Sequence, residues 1–480
     1  MTRPATQTTA MPKGLVAMTS FCVILATLVL TLPLTVLGQI GESLGASGSL
    51  LNWVVIIGSL SGAVGTGLLP PLASLFGQRT MTVTTMALLT LGSVIGAVAP
   101  NMTILLIGRF IGGFTLGAIA LSLAIARANL SGKTLGTVLA WIAAAEGIAA
   151  GLGFVLGGLL TDAVHVSWRA VFGILAVLGV IGVFGALAAI PRRTDPNRPR
   201  VDWLGGGLLA LALALILVPL SMGSKWGWGS AATLVPLIGG VVVAAIWWAV
   251  EERVEQPLVN TRALRNRNFL RGWLVFFLAG MLAWIINFTL PKFTETPAGA
   301  GFGFGYNSLV SGFVMLVFCT GIVVGSASVG RLSRVVAPRV ICLISFTGLA
   351  VSLLLIAFLH DHAWQLWTWP ILSGLSYGLT SASAYLTFIT ALRPHEVATA
   401  ASIGQISAPL GGAIGSAGIS AVLTAQVIKV GGEAVPTEHS FRLGWLIGVG
   451  VAVVGFLIVA LLQPKKVTDE SPEVAETVAI

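Results

Sequence analysis

Two residues of this 480-residue chain stand where charge is costly: Glu146 in "WIAAAEGIAAG" and Arg109 in "LIGRFIGG", each deep within a long apolar run. A charged side chain at mid-bilayer costs about 2.5–3.5 kcal/mol on insertion scales, so its presence calls for a reason. A carboxyl in a site hydrated from alternate sides is suited to taking up and releasing a proton, because desolvation disfavours the ionised form. Glu146 is thus the candidate protonation site and the counter-ion for a cationic ligand. The structural alternative is a permanent pair with Arg109 that locks two neighbouring helices. At 1.5 Å per residue the two residues differ in depth by roughly 5 Å, within reach of two long side chains. Arg109 alone offers a partner for an anion, which ranks below these readings.

The elements that must position these groups are apolar and long. About 20 mostly apolar residues cross a bilayer as a helix. Such stretches occupy roughly 16–38, 51–72, 80–99, 103–126, 136–160, 169–190, 203–222, 230–250, 270–290, 307–329, 339–359, 366–391, 398–427 and 443–463. Alternate loops then fall on opposite faces. Of 26 Lys and Arg, twenty lie on one face, among them Arg79, Arg127, Arg192, Arg265, Arg331 and Arg339. The other face carries Arg169, Lys225, Lys292, Lys429 and Arg442. This bias predicts fourteen crossings with both termini cytoplasmic.

Composition sets the class. The chain is 56% hydrophobic and 9% charged, with a mean hydropathy of +0.96, which predicts a multi-pass protein of the cell membrane. The net charge of +9 sits in short loops, where topology and anionic lipid account for it, so no nucleic-acid partner is expected. Cys22, Cys319 and Cys342 have no metal-ligand spacing, and neither a metal nor a cofactor is expected. The glycine-rich loop 291–306, "PAGAGFGFGY" included, reads as mobile, and residues 467–480 read as a disordered tail.

The chain also repeats itself. "PPLASLFGQR" (70–79) and "GRLSRVVAPR" (330–339) end 260 residues apart. The pair Gly113 and Gly117 returns as Gly374 and Gly378, and "GLGFVLGG" (151–158) as "APLGGAIG" (408–415). Two related six-helix bundles are therefore expected, at 1–190 and 269–466, joined by a 191–268 linker that carries the inserted seventh and eighth helices. Duplicated halves with a midplane site are the architecture of many secondary transporters.

These residues resemble the major facilitator superfamily, in its fourteen-helix drug:proton antiporter branch. "LNWVVIIGSL" (51–60) is similar to the branch's helix 2 start, and "LIGRFIGGFTLGAIA" (106–120) to its helix 4 motif with Arg109. "GLGFVLGGLLTD" (151–162) with "WRAVF" (168–172) resembles the antiporter motif of helix 5. "VDWLGGGLLALALAL" (201–215), "EQPLVNTRALRNRNFLRG" (255–272), "LGGAIGSAG" (410–418) and "SFRLGWLIG" (440–448) match later segments in order. The resemblance implies an all-α membrane protein with the major facilitator fold. It implies a monomeric secondary transporter, not an enzyme, that exports lipophilic or cationic small molecules in exchange for protons by alternating access. Departures bear on the coupling. Ser74 and Leu75 precede Gly77 where the family has an Asp and an Arg, Val29 stands at the acidic position of helix 1, and Gly153-Phe154 replaces Gly-Pro.

The remaining candidates follow from polarity. The spans hold few amides, so a drug-sized apolar ligand is favoured over a sugar or peptide. Trp141, Trp284, Asn287, Tyr377, Tyr385 and Gln405 are the candidate cavity residues. Gly153, Gly157 and Gly158 form a small-residue face that serves either a gate or static helix packing. Arg79 and Arg331 are candidate braces of the basic face, with topology as their plain explanation. Two alternatives stand beside the exporter: a uniporter or metabolite exchanger, and a membrane-embedded transferase. The last lacks its usual His or paired Asp at catalytic depth.

Overall fold

In a medium without water, a helix satisfies its own backbone, and this chain is helical almost throughout. The computed structural model describes residues 13–46, 49–130, 132–191, 203–254, 267–390, 397–430 and 433–462. Its helices are α1 (Lys13–Thr35), α2 (Leu37–Leu44), α3 (Ser49–Phe76), α4 (Gln78–Ala97), α5 (Met102–Gly113), α6 (Gly117–Asn129), α7 (Gly132–Gly158) and α8 (Trp168–Ala189). They continue as α9 (Trp203–Trp226), α10 (Ala231–Glu251), α11 (Arg267–Glu295), α12 (Ser308–Leu332), α13 (Pro338–Phe358), α14 (Ala363–Thr390), α15 (Val397–Ala425) and α16 (Glu438–Leu462). Eleven segments among the described residues are long and apolar enough to cross a membrane; Leu204–Ile216 and Leu410–Ala425 are shorter apolar stretches. The expected tail 467–480 lies outside the described residues, as does the basic connection 255–266.

Local chemistry sets several boundaries. Asn101 and Asn307 cap α5 and α12 by accepting the N–H groups of Ile104 and Val310, each at 3.0 Å. Four features depart from the sequence reading. The fourth span is interrupted by a 3₁₀ turn at Phe114–Leu116, and the fifth ends in a π turn at Leu159–Ala163. Strands β1 (Val427–Val430) and β2 (Glu433–Pro436) form an antiparallel hairpin between α15 and α16, so the chain is not wholly α. The loop read as mobile is folded down: Gly305 and Tyr306 donate N–H bonds to the carbonyls of Thr296 and Thr294, and Phe302 and Phe304 pack on Phe293. Its aromatic residues anchor it, and its glycines permit the path: Gly301 and Gly305 have positive φ, and Gly303 has no room for a side chain beside Thr296.

Two large apolar cores form among the described residues, one from α1–α6 and α8 around Leu25, Met86, Leu89 and Leu105, the other from α11–α16, joined by Val55 of α3 and Phe154 of α7, around Phe293, Phe318, Phe346 and Trp445. The repeated glycines make matching contacts in each. A Cβ on Gly113 would strike Gly58 and Ser61 of α3, and one on Gly374 would strike Phe318 and Ile322 of α12. Gly117 meets Gly65 as Gly378 meets Ser326. Helices approach this closely only where small residues line the contact.

The helix pair α9 and α10 lies outside both cores. Leu209 and Val218 of α9 pack with Leu60 and Val64 of α3 and with Leu410 of α15, so the pair flanks the line where the two cores meet. α10 leans on α9 through Gly240 and Ile216 and turns Val235, Ile238 and Val241 outward.

Candidate functional site

Arg109 is 2% exposed and bonds to backbone. Its Nη1 donates to the Val29 carbonyl of α1 at 2.8 Å, and its Nε to the Val54 carbonyl of α3 at 2.8 Å. The local sequence explains both choices. Pro33 lies four residues after Val29 and has no N–H, so the Val29 carbonyl lacks its normal helical donor. Gly58 supplies the room: a Cβ there would sit 2.6 Å from Nη2. Arg109 therefore bolts three helices together, and among the described residues no ion pair joins it to Glu146. The signal for this socket was present in the sequence as a proline within a span, four residues past the carbonyl it frees.

Glu146 is exposed although it lies mid-helix in α7. It does not point to the periphery. Trp141, Ile148, Leu152, Leu156 and Leu159 form the outward stripe of α7, with Trp141 at 57% exposure. At 3.6 residues per turn Glu146 lies about 140° around the helix from Trp141. The carboxyl thus opens onto space inside the bundle. Tyr377 on α14, from the other core, lies within electrostatic reach of it. Of the candidate cavity residues, the structure brings Tyr377 to Glu146 and leaves Trp141 on the outer stripe.

The neighbouring faces of α7 are dense. Gly153 and Gly157 lie against Thr31 and Thr35 of α1. Gly147 and Gly151 lie against Val323 and Leu316 of α12, and Gly158 against the backbone of Leu309. From the other side, a Cβ on Gly312 would stand 2.7 Å from the Phe154 carbonyl oxygen. Beyond this backbone contact, Asp162 Oδ2 accepts the Leu309 N–H at 2.8 Å while Oδ1 accepts the Thr161 hydroxyl. Asp162 thereby caps α12 from across the seam. Ser311 Oγ lies 2.9 Å from Thr294 Oγ1, and Glu295 stands beside it with Lys292 one turn back. This end of the bundle, away from the basic loops, is closed. Sequence reasoning singled out the glycines and missed Asp162, whose partner lies 147 residues on.

The other candidates lie as follows. The Trp284 ring covers Gly412 of α15 and tilts against Phe288, and Asn287 donates to the Ala283 carbonyl at 2.8 Å. Tyr385 and Gln405 fall on α14 and α15, but their side chains lie outside the described residues. Arg79 is half-buried at the start of α4 and Arg331 is exposed at the end of α12. No cluster among the described residues offers metal-ligand geometry.

Comparison with known proteins agrees with this architecture. The "Uncharacterized MFS-type transporter Rv1877" of Mycobacterium tuberculosis is 25% identical over 91% of the chain, which spans 66% of that protein's length. "Multidrug resistance protein Stp" of the same species is 26% identical over 78% of the chain and 69% of its own length. The triacylglyceride transporter of Mycolicibacterium smegmatis is 28% identical over 84% and 74%. In fold, the peptide transporter POT in complex with sulfate superposes with a TM-score of 0.66 at 16% identity, over 94% of each chain. The sequence profile of the Major Facilitator Superfamily matches residues 19–416, and this chain belongs to that superfamily of membrane transporters, which are not enzymes.

Proposed function

We propose that this transporter exports lipophilic or cationic small molecules in exchange for protons, with Glu146 as the group that alternates between proton and cargo. The observation that carries the reading is the Glu146 carboxyl, mid-helix in α7, exposed on the side away from the outer stripe and within electrostatic reach of Tyr377 of α14. A carboxylate there attracts a cation when ionised and releases it when protonated, and the surrounding apolar walls favour a drug-sized ligand. Arg109 holds α1, α3 and α5 as one body, so that its place in the cycle is rigidity, not a counter-charge to Glu146. Fourteen crossings, cytoplasmic termini, a plasma-membrane location, a monomer and a division into halves at 1–190 and 269–466 complete the reading. The names of the multidrug resistance relative and the triacylglyceride transporter are consistent with a lipophilic cargo.

The test is efflux from cells that express the chain, across a panel of toxic cations and lipophiles, with and without an uncoupler. Glu146→Gln should abolish gradient-driven efflux while the protein still inserts and purifies. Undiminished efflux by that variant overturns the role of Glu146. Efflux indifferent to the uncoupler favours a uniporter or exchanger instead.

A further inference from the structure

The closed end carries a polar contact that the transport site does not use. α12 begins with two caps from different sources. Its own Asn307 accepts the Val310 N–H at 3.0 Å. The Leu309 N–H goes instead to Asp162 Oδ2 of the other group, at 2.8 Å. The local chain fixes Asp162 in that position. α7 runs into the π turn Leu159–Ala163, closed by bonds from the Val164 N–H to the Leu159 carbonyl and from the Val166 N–H to the Leu160 carbonyl. His165, between the two donors, has φ 52°, a left-handed conformation usually left to glycine at the end of a helix. One turn before Asp162 the backbones of α7 and α12 meet, since a Cβ on Gly158 would stand 2.4 Å from Leu309 Cα.

We propose that Asp162 and the first turn of α12 form a charge–dipole latch that holds this end of the molecule shut. The carboxylate sits against the positive end of the α12 dipole, where a negative charge is favoured. The two caps part company when the groups separate. Asn307 belongs to α12 and travels with it, so the helix start keeps one of its caps. Asp162 belongs to the α7 side and is left behind. Water then takes over the Leu309 N–H and the carboxylate, and no helix has to unwind. A single cap of this kind biases the closed form by roughly 2- to 30-fold. That is enough to set a resting state and small enough to be reversed in every cycle.

A second carboxyl works against the latch. Glu295, exposed at the end of α11, lies within electrostatic reach of Asp162, and like charges there favour separation. Lys292, one turn back, offsets part of that repulsion. Glu295 and Leu309 both belong to the α11–α16 group, so the pull and the push act between the same two bodies. The closed end is thus held by a balance and not by a lock. The place of the latch in a transport cycle rests on the alternating access of the proposed exporter; the bias between closed and open forms depends on neither cargo nor Glu146.

Pulsed electron paramagnetic resonance on the purified full-length protein tests this directly. Spin labels go on Val98→Cys, after α4, and Val427→Cys, on the hairpin before α16; both positions are exposed at this end, one on each group. Cys22, Cys319 and Cys342 are replaced by serine in this background. Asp162→Ala should raise the ratio of long to short label distances by roughly 2- to 30-fold. Asp162→Asn, which keeps an acceptor and loses the charge, should fall between the two, and it carries the test alone should the alanine variant not fold. Glu295→Gln should lower the ratio below that of the unsubstituted protein. A distance distribution unmoved by loss of Asp162, full retention of the closed form by asparagine, or a rise in the ratio with Glu295→Gln overturns the inference. These readings stand whether or not Glu146→Gln abolishes efflux, so failure of the latch and failure of the exporter are told apart.

Discussion

The α1–α8 group and the α11–α16 group share a packing plan and solve its polar problem differently. In the first, one buried cation serves three helices, and it does so through backbone carbonyls, one of them freed by Pro33. In the second, α13 and α14 are joined by a ladder of small polar pairs: Cys342 with Ser383 at 3.0 Å, Thr380 with Ser345 at 2.8 Å and Ser373 with Ser352 at 2.9 Å. Its end is closed by an aromatic cluster around Phe293, whose ring is fully buried among Phe302, Phe304, Phe441, Trp445 and His360. A single strong bolt concentrates rigidity at one residue, whereas a ladder spreads it. The Glu146 site lies where α7, held at Gly153 and Gly157 against α1, meets a neighbouring group held by many weak links.

Three substitutions probe that contrast. Phe293→Ala should cost most, about 3–5 kcal/mol, because it empties a fully enclosed volume. It should also release the 298–306 loop, which limited proteolysis would detect; an intact loop would mean the glycine-rich segment folds without its aromatic anchor. Arg109→Met should cost about 1–3 kcal/mol by leaving the buried Val29 carbonyl without a donor. Arg109→Lys should recover little of it, since one ammonium cannot reproduce two divergent N–H bonds. Full recovery by lysine in a thermal-unfolding assay would replace the bolt with simple charge.

The seam between the groups should respond least. Asp162→Ala removes a cap worth about 0.5–2 kcal/mol. Its effect should appear as faster alkylation of the buried Cys319, which lies beside Gly151 on the α7–α12 seam. Labelling is read in a background where Cys22 and Cys342 are replaced by serine. Unchanged labelling would show that the glycine contacts alone keep this end shut.

Much of the fold was legible in the chain. Hydropathy located the long helices among the described residues, and Gly113 and Gly374, read as a repeated pair, press on partner helices in matching ways. Glu146 was legible as an anomaly, because a charge in an apolar run is visible without any neighbour. The partners were not legible. A pair between Arg109 and Glu146 stood as the structural alternative on grounds of depth, but depth says nothing about the direction a side chain takes around its helix. Trp141 and Glu146 are five residues apart and face different surroundings for the same reason.

The amino-acid sequence by itself determined which segments are helical and apolar, where the helices are capped, and which ionisable groups are anomalous. Each of these is a property of one residue or one short window. Only the tertiary structure decided that a carbonyl on α1 receives Arg109, that Asp162 caps a helix of the other group, and that His360 faces Glu438 across 78 residues. A polar group in a dry interior must be paired, and the need is written locally; the partner that meets it is chosen by packing.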